Sequence, residues 1–449
     1  MSPNGSGRYC HTVWTATGEQ HAEPQSANPL ATVLALLRQD APGSITGAPD
    51  AWPRWAVILP HVLAVTAAVD DATAVAAADD SVAVNCSWLL DGAAKFLQVE
   101  GRYRDSRPLL ERALAIDEAV HGRDHPAVAI SLGNLALVLR DLGDPAGARP
   151  LAERALAIGE AVHGRDHPDV AISLGNLATV LRALGDPAGA RPLLERALAI
   201  GEAVHGPDHP AVAIRLGNLA LVLQDLGDPA GARPLAERAL AIDEAVHGRD
   251  HPDVAISLNN LATVLRALGD PAGARPLAER ALAIDEAVHG RDHPDVATSL
   301  NNLALVLQDL GDPAGARPLA ERALAITEAV HGPDHPNVAI RLNNLAMVLQ
   351  DLGDPAGARP LAERALAITE AVHGPDHPNV AIRLGNLALV LRALGDPAGA
   401  RPLAERALAI TEAVHGPDHP NVATSLNNLA TVLQDLGKPP PRHRRPVTE

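Results

Sequence analysis

The sequence predicts an all-α fold, a solenoid of stacked helical hairpins. Three observations point there. A 42-residue unit recurs eight times, its His-Gly-x-Asp-His-Pro start falling at His121, His163, His205, His247, His289, His331, His373 and His415. Inside each unit the apolar residues follow two successive helical stripes, set apart by glycine and proline. Aromatic residues are scarce: the seven in the 449-residue chain (four Trp, two Tyr, one Phe) all lie at or before Tyr103. A core without aromatic bulk must be built from Ala, Leu, Val and Ile, which suits close-packed helices and disfavours a β-sandwich or barrel. A single hairpin cannot bury both of its apolar faces, whereas stacked hairpins can, through nearest-neighbour interfaces.

The elements follow in order. Residues 1–50 are rich in Gly, Pro, Ser and Thr and read as largely irregular, with one helical stretch near Pro29 to Gln39. Residues 51–85 read as a helical connector, with helices at 55–69 and 71–84 forming an N-terminal cap. The tryptophans pack into that cap or, left exposed, offer a partner site. The repeat array spans 86–436. Its first unit, 86–120, is degenerate, since Arg107-Pro108-Leu109-Leu110-Glu111-Arg112-Ala113-Leu114-Ala115-Ile116 echoes the later RPLAERALAI block. The eighth unit stops after its first helix, about 420–436, and 437–449 is a Pro/Arg tail expected to be disordered.

Within the first full unit, helix one is expected from Pro126 to Leu142. Proline suits the first helical position, and His125 before it is pushed out of the α region. Gly143 is the left-handed terminator. Asp144 then caps helix two, with Pro145 at its first position, and that helix runs to about Val162 before Gly164. Pro150, recurring at Pro108, Pro192, Pro234, Pro276, Pro318, Pro360 and Pro402, predicts a small repeated kink or a ragged first turn and not a break, because the apolar spacing continues past it. The core stripes are Leu132, Leu135, Ala136, Leu139 and Leu142 in helix one, and Ala148, Leu151, Ala152, Ala155, Leu156 and Ile158 in helix two.

These residues carry a resemblance. Leu132, Leu135, Ala136, Leu139, Leu142-Gly143, Ala148 and Ala155 resemble the tetratricopeptide repeat signature. The 42-residue period, the HGxDHPxVA loop and the LNNLA core are similar to the kinesin-light-chain type. The resemblance covers about 86–436 and implies a right-handed α-α superhelix whose first helices line a concave groove that takes peptides or protein segments. The array mostly lacks the aromatic and basic groove elements of kinesin light chains. It also lacks the lysines of carboxylate-clamp domains, so cargo-peptide specificity and chaperone-tail binding do not transfer. Upstream, Trp52-Pro53-Arg54-Trp55 and Leu59-Pro60-His61 resemble the connector ahead of the repeats in bacterial NB-ARC-type signal-transduction ATPases, though the ATPase itself is missing.

Comparing copies locates the variable places. The sixth and seventh units differ only at Asn343/Gly385, Met347/Leu389, Gln350/Arg392 and Asp351/Ala393. Across units, helix one varies at Ile130, Gly133, Leu137, Arg140 and Asp141, a single stripe opposite the leucines. Drift alone would also touch the second helix, where Arg149, Glu153, Arg154 and their copies stay fixed. The resemblance places the variable stripe in the groove. There Arg140/Asp141 gives way to Arg182/Ala183, Gln224/Asp225, Arg266/Ala267, Gln308/Asp309, Gln350/Asp351, Arg392/Ala393 and Gln434/Asp435. Arg215, Arg341 and Arg383 add basic points. A mixed polar segment fits such a wall. Asn134 recurs as Asn176, Asn218, Asn260, Asn302, Asn344, Asn386 and Asn428. An amide ladder pairs either with the backbone of an extended peptide or with the adjacent repeat, and the sequence leaves both open.

Other chemistry is excluded or weak. The net charge of −17 argues against nucleic acid or an anionic membrane surface. Two cysteines, Cys10 and Cys86, cannot form a disulfide framework and suggest a reducing compartment. The polar N-terminus lacks a signal-peptide core, and Trp55 to Val69 is too short to span a bilayer, so a cytoplasmic protein is expected. His121 and His125 are spaced as H-x-x-x-H, but Gly122 and Pro126 put them in a loop, where caps and turns are a better reading than zinc. Nucleophile-elbow, C-x-x-C and P-loop motifs are absent, so neither enzyme nor cofactor is expected. The leading expectation is a non-catalytic scaffold binding a protein or extended peptide. The alternative is a detached sensor half of an NB-ARC-type ATPase. The last helix keeps its apolar stripe at Leu426, Leu429, Ala430 and Leu433 and predicts weak self-association. Tryptophan fluorescence is expected to report the first 100 residues alone.

Overall fold

The computed structural model describes residues 29–45, 48–68, 80–416 and 420–439. Cys10, the irregular start to residue 28 and the end of the tail lie outside them, as does most of the helix expected at 71–84. The described residues form α1 (Pro29–Asp40), a short 3-10 turn (Pro49–Ala51), α2 (Trp52–Ala67), α3 (Asp80–Val99) and α4 (Tyr103–His121). The hairpins follow as α5 (Pro126–Asp141) with α6 (Pro145–His163), α7 (Pro168–Ala183) with α8 (Pro187–His205), and α9 (Pro210–Asp225) with α10 (Pro229–His247). Next are α11 (Pro252–Ala267) with α12 (Pro271–His289), α13 (Pro294–Asp309) with α14 (Pro313–His331), and α15 (Pro336–Asp351) with α16 (Pro355–His373). The array ends on α17 (Pro378–Ala393) with α18 (Pro397–His415), and α19 (Pro420–Asp435).

Each helix starts and stops where its sequence punctuates it. In the first helix of a unit, the histidine before proline is extended (His125 φ −83°, ψ 147°) and its Nδ1 accepts from Ala127 N at 3.2 Å. In the second helix Asp144 Oδ1 accepts from Gly147 N at 2.8 Å. Such caps satisfy amides that the helix itself leaves unpaired. Gly143 ends the first helix at φ +83°, a conformation that side chains disfavour. The second helix runs continuously through Pro150, which sits on its exposed side. The carbonyl that proline leaves unpaired can therefore turn to water, and helix continuity survives.

Packing follows the small residues. Ala136, Ala148, Ala152 and Ala155 are buried, letting helix axes approach closely, while Leu132, Leu135, Leu139 and Val138 fill the remaining space. Leu142 is half-buried. One apolar core runs from Ala94 to Leu433, and smaller clusters such as Val254, Leu258, Ala281 and Ile284 fill single hairpins, with Leu240 of the preceding hairpin packed against that one. Outside, an arginine staples each second helix to its predecessor. Arg154 donates to Glu118 Oε1 at 2.6 Å and to Arg123 O at 2.7 Å, and the pattern repeats up to Arg406. At the N-terminal end, α1 to α3 enclose a separate core around Trp55, whose Nε1 donates to Pro42 O at 3.0 Å. Gly92 makes room for it: a Cβ there would lie 2.4 Å from the Trp55 ring.

The array coils back on itself. Contacts recur 194 residues apart, between the turn inside an early hairpin and the His-Pro loop of a later one. His293 Nε2 pairs with Val99 O, and His335 Nε2 with Asp141 O at 2.6 Å. His377 packs against Gly185 beside the Leu184 carbonyl, its Nε2 short of a hydrogen bond. Arg104 Nη2 donates to His331 O at 2.6 Å, Tyr103 stacks on His331, and Trp52 stacks on His289 at 5.1 Å. The second superhelical turn thus rests on the first, and Trp52 reports on residues far beyond the first 100, contrary to the expectation from aromatic placement.

Candidate functional site

The first helices face the inside of the coil. Their wall carries three ladders, built because residue i of one unit lies beside residue i+43 of the next. In the asparagine ladder, Asn302 donates to Asn259 Oδ1 at 3.1 Å, Asn344 to Asn301 Oδ1 at 2.8 Å, and Asn386 to Asn343 Oδ1 at 3.0 Å. Asn134 does the same to Asp91 Oδ1 at 2.6 Å. These four amides are spent on the preceding repeat. Asn176, Asn218, Asn260 and Asn428 instead follow Gly133, Gly175, Gly217 and Gly385, which offer no acceptor. Their amides are free of the inter-repeat bond: Nδ2 of Asn176, Asn260 and Asn428 lies over the glycine of the preceding repeat, and Asn218 lines the cavity described below.

The second ladder neutralises the alternating charges. Arg182 pairs with Asp225, Arg266 with Asp309 at 2.6 Å, and Arg392 with Asp435 at 2.5 Å. Gln308 donates to Asp351, while Arg140 turns to its own neighbour Asp141 at 2.6 Å. Burial and, across the coil, Asp295 raise the Asp141 carboxyl against the pull of Arg140. Gln224 and Gln350 meet Ala267 and Ala393 at the paired position, and their Oε1 atoms are buried without a partner. Gln434 is exposed on the last helix.

The third ladder joins the first helix to the second helix of the preceding unit. Ser131 donates to Asp117 at 2.5 Å, Ser257 to Asp243 at 2.6 Å, and Ser299 to Asp285 at 2.5 Å. Where arginine replaces this serine, a glycine or threonine replaces the aspartate: Gly201 with Arg215, Thr327 with Arg341, Thr369 with Arg383. Arg215 and Arg383 are therefore buried between helices (7% exposed each) rather than standing on the open wall, and Arg341 is half-buried. Burial lowers all three guanidinium groups, Arg341 and Arg383 to about 10, and each Nε lacks a partner.

Sequence reasoning named the isoleucine position but not its role. Ile130, Ile172, Ile214, Ile256 and Ile382 are about half exposed, between 48% and 61%, and give the wall apolar points between its polar rungs. The signal was a large apolar residue repeated on the face opposite the core. Conversely, the constancy of Arg154 and its copies comes from the outer staples, so it does not bear on the groove. A cavity of about 670 Å³ opens on the inner wall where the two turns meet, lined by Arg182, Asn218 and Gln224 from one turn and Asn337, Ile340 and Ile382 from the next.

The second histidine of the His-Pro loops caps a helix. His163, His167 and Asp169 bring ligand atoms within 4.8 Å, as do His247, His251 and Asp253, and His289, His293 and Asp295. Yet the two rings of each loop stack, with centroids 4.4 Å apart for His163 and His167. Stacked imidazoles point their in-plane lone pairs side by side, not at one ion. The second ring's Nδ1 is also occupied by its cap. Among the described residues no helix is long and apolar enough to cross a membrane.

Comparison with known proteins places the repeats in a family. No curated protein sequence matches the chain. A crystal structure described as a kinesin light chain with nearly identical tetratricopeptide-like repeats, from Podosopora anserina, is 30% identical over 46% of this chain and 97% of its own, with a TM-score of 0.37. BtubC (BKLC) from P. vanneervenii is 26% identical over 52% of this chain and 92% of its own, with a TM-score of 0.40. A Rap protein complexed with competence and sporulation factor covers 78% of this chain and 98% of its own at 14% identity, with a TM-score of 0.54, a likeness of fold. The model of the tetratricopeptide repeat matches in eight overlapping windows, from 85–161 to 384–441. The chain belongs to the tetratricopeptide repeat family, and its fold is the right-handed α-α superhelix of that family.

Proposed function

We propose that the protein is a non-catalytic scaffold that binds an extended segment of a protein partner along the inner wall of the coil. The observation that carries this reading is the split in the asparagine ladder. Asn176, Asn218 and Asn260 keep amides free where glycine precedes them, and the exposed isoleucines stand on the same wall. An extended peptide backbone has the donors and acceptors to meet such amides, while its alternate side chains meet the isoleucines. Because Arg182, Arg266 and Arg392 are paired with aspartates, the wall favours a partner with little net charge. A wall held by rigid hairpins binds with little ordering cost. The single buried thiol among the described residues, Cys86, fits a reducing, cytoplasmic setting.

The test is capture by the full chain, identification of bound proteins by mass spectrometry, and titration of the recovered segment as a synthetic peptide. N176A/N218A/N260A should weaken that peptide about tenfold or more without changing the helical signal. Unaltered affinity sinks the assignment. A second reading, a sensor that works with a separately encoded NB-ARC-type ATPase, rests on the Trp52 to His61 connector. It predicts that such an ATPase is recovered in the same capture. Weak self-association through α19 is read from Leu426 and Ala430, which are half-buried at the open end of the array. Light scattering that finds a strict monomer at high concentration removes it.

A further inference from the structure

The seam between superhelical turns has a chemistry of its own. In His335, Nδ1 accepts from Asn337 N at 3.1 Å while Nε2 donates to Asp141 O at 2.6 Å. In His293, Nδ1 accepts from Asp295 N at 3.2 Å while Nε2 meets Val99 O. His335, with one accepting and one donating nitrogen, is neutral, and its burial favours that form. A second proton would have to sit on Nδ1, facing the amide hydrogen it now accepts. The first histidine of each loop stacks on the second, at 4.2 Å for His289 and His293 and 4.3 Å for His331 and His335. First-turn aromatics lie against them, Trp52 on His289 and Tyr103 on His331.

The charges facing these rings oppose protonation or compensate it poorly. Arg104 of the first turn and Arg341 of the same unit act on His331, and Arg104 also on His335. Arg383 acts on His373, whose ring stacks on His377. Asp141 offers His335 its backbone carbonyl, while its carboxylate is held by Arg140. The carboxylate nearest His289 and His293 is Asp295, at 3.6 and 3.4 Å, and its side chain is 54% exposed. Burial first, then neighbouring charge, holds His289, His331 and His377 down to about 4.

We propose that the seam is a proton-operated latch. At neutral pH it holds the second turn on the first; acidification releases the turns while the hairpins stay folded. The sign follows from linkage. Rings freed from the seam return toward the ordinary value of 6.5 and take up protons that the closed form refuses. Closure is therefore fully supported above that value and is lost progressively as pH falls toward 4. Each pK unit of difference favours the open form about tenfold per ring. The hairpins persist because their cores are Leu, Val and Ala, which do not titrate. His125 marks the contrast: it caps its helix in the same way but is exposed in the first turn.

The test uses the full chain. Small-angle X-ray scattering and far-UV circular dichroism are recorded together from about pH 7 to about pH 4. The expected result is a rise in radius of gyration below 6.5 with the helical signal retained, accompanied by a change in Trp52 emission. H293N/H335N/H377N keeps an acceptor at each helix start but is too short to reach the opposite turn. It should be expanded already at neutral pH and should lose the pH dependence. A coil that stays compact to about pH 4 overturns the latch. So does loss of helix in step with expansion, or an asparagine variant as compact as the parent.

Discussion

Replacing Gly175 by asparagine should extend the asparagine ladder by one rung. Gly175 lies within α7, and a Cβ built on it meets nothing within 4 Å. The new side chain would stand beside Asn218, as Asn301 stands beside Asn344 with a bond of 2.8 Å. Exchanging glycine for asparagine inside a helix gains about 0.3 kcal/mol. The added hydrogen bond contributes about 1 kcal/mol, and ordering the side chain costs roughly 0.5 kcal/mol. The net gain of about 1 kcal/mol is local, because each repeat leans mainly on its neighbours. The assay is native-state hydrogen exchange read by mass spectrometry over Pro210–Asp225, where protection should rise about fivefold. The mirror variant, N301G, removes an acceptor that is 4% exposed and should speed exchange in α15 about tenfold or more. G175N without added protection would refute the reasoning, as would N301G without loss. If the free amides hold the partner, G175N should also weaken binding while stabilising the fold.

Other outcomes follow from the same ladders. R266Q should leave the melting temperature nearly unchanged, within about 0.5 kcal/mol, because Gln308 already makes the equivalent bond to Asp351; a large loss in thermal denaturation would contradict this. Asp285 is buried beside Ser299, and burial raises its carboxyl to about 7. The folded form therefore holds a proton that the unfolded chain releases near 3.8, so this site's stability is present at acid pH and lost as pH rises through about 7. D285N should raise the melting temperature at about pH 8 and do so less at about pH 5; equal effects would argue against it. L258A empties a fully buried site inside the α11–α12 hairpin and should cost about 2–5 kcal/mol, splitting the urea transition into two where the parent is expected to give one. A single transition at the parent's midpoint would contradict that.

The hairpins were legible because each boundary is written locally. Proline, glycine and aspartate act on the residues beside them, and the leucine spacing names the core directly. Pro150 does not break its helix, as the apolar spacing that continues past it implies. The groove was half legible. The variable stripe falls on the inner wall, but pairing between residues 43 apart depends on how hairpins stack, and no single unit encodes that offset. Arg215 and Arg383 read as surface charges because the glycine or threonine that makes room for them sits 14 positions earlier, on another helix. The seam was not legible at all. It depends on the number of hairpins per superhelical turn, a small angle summed over several units.

That summation has a consequence for how the array responds to changes in length. A short array would be a one-dimensional chain, each hairpin touching the one before and the one after. Once the coil passes a full turn, each added hairpin also lands on an earlier one, and the chain becomes a strip of a curved lattice. Cooperativity should then climb in a step, at the unit that first completes the circuit, rather than evenly with copy number. Near-identical repeats invite unequal recombination, which adds or deletes whole units of 42 residues. Loss of an inner unit would re-pair the ladders at one junction and move the seam one notch along. Loss of several would abolish the seam and leave an open coil of the same composition. Copy number, which no point mutation alters, would then decide whether the inner wall is walled off or open.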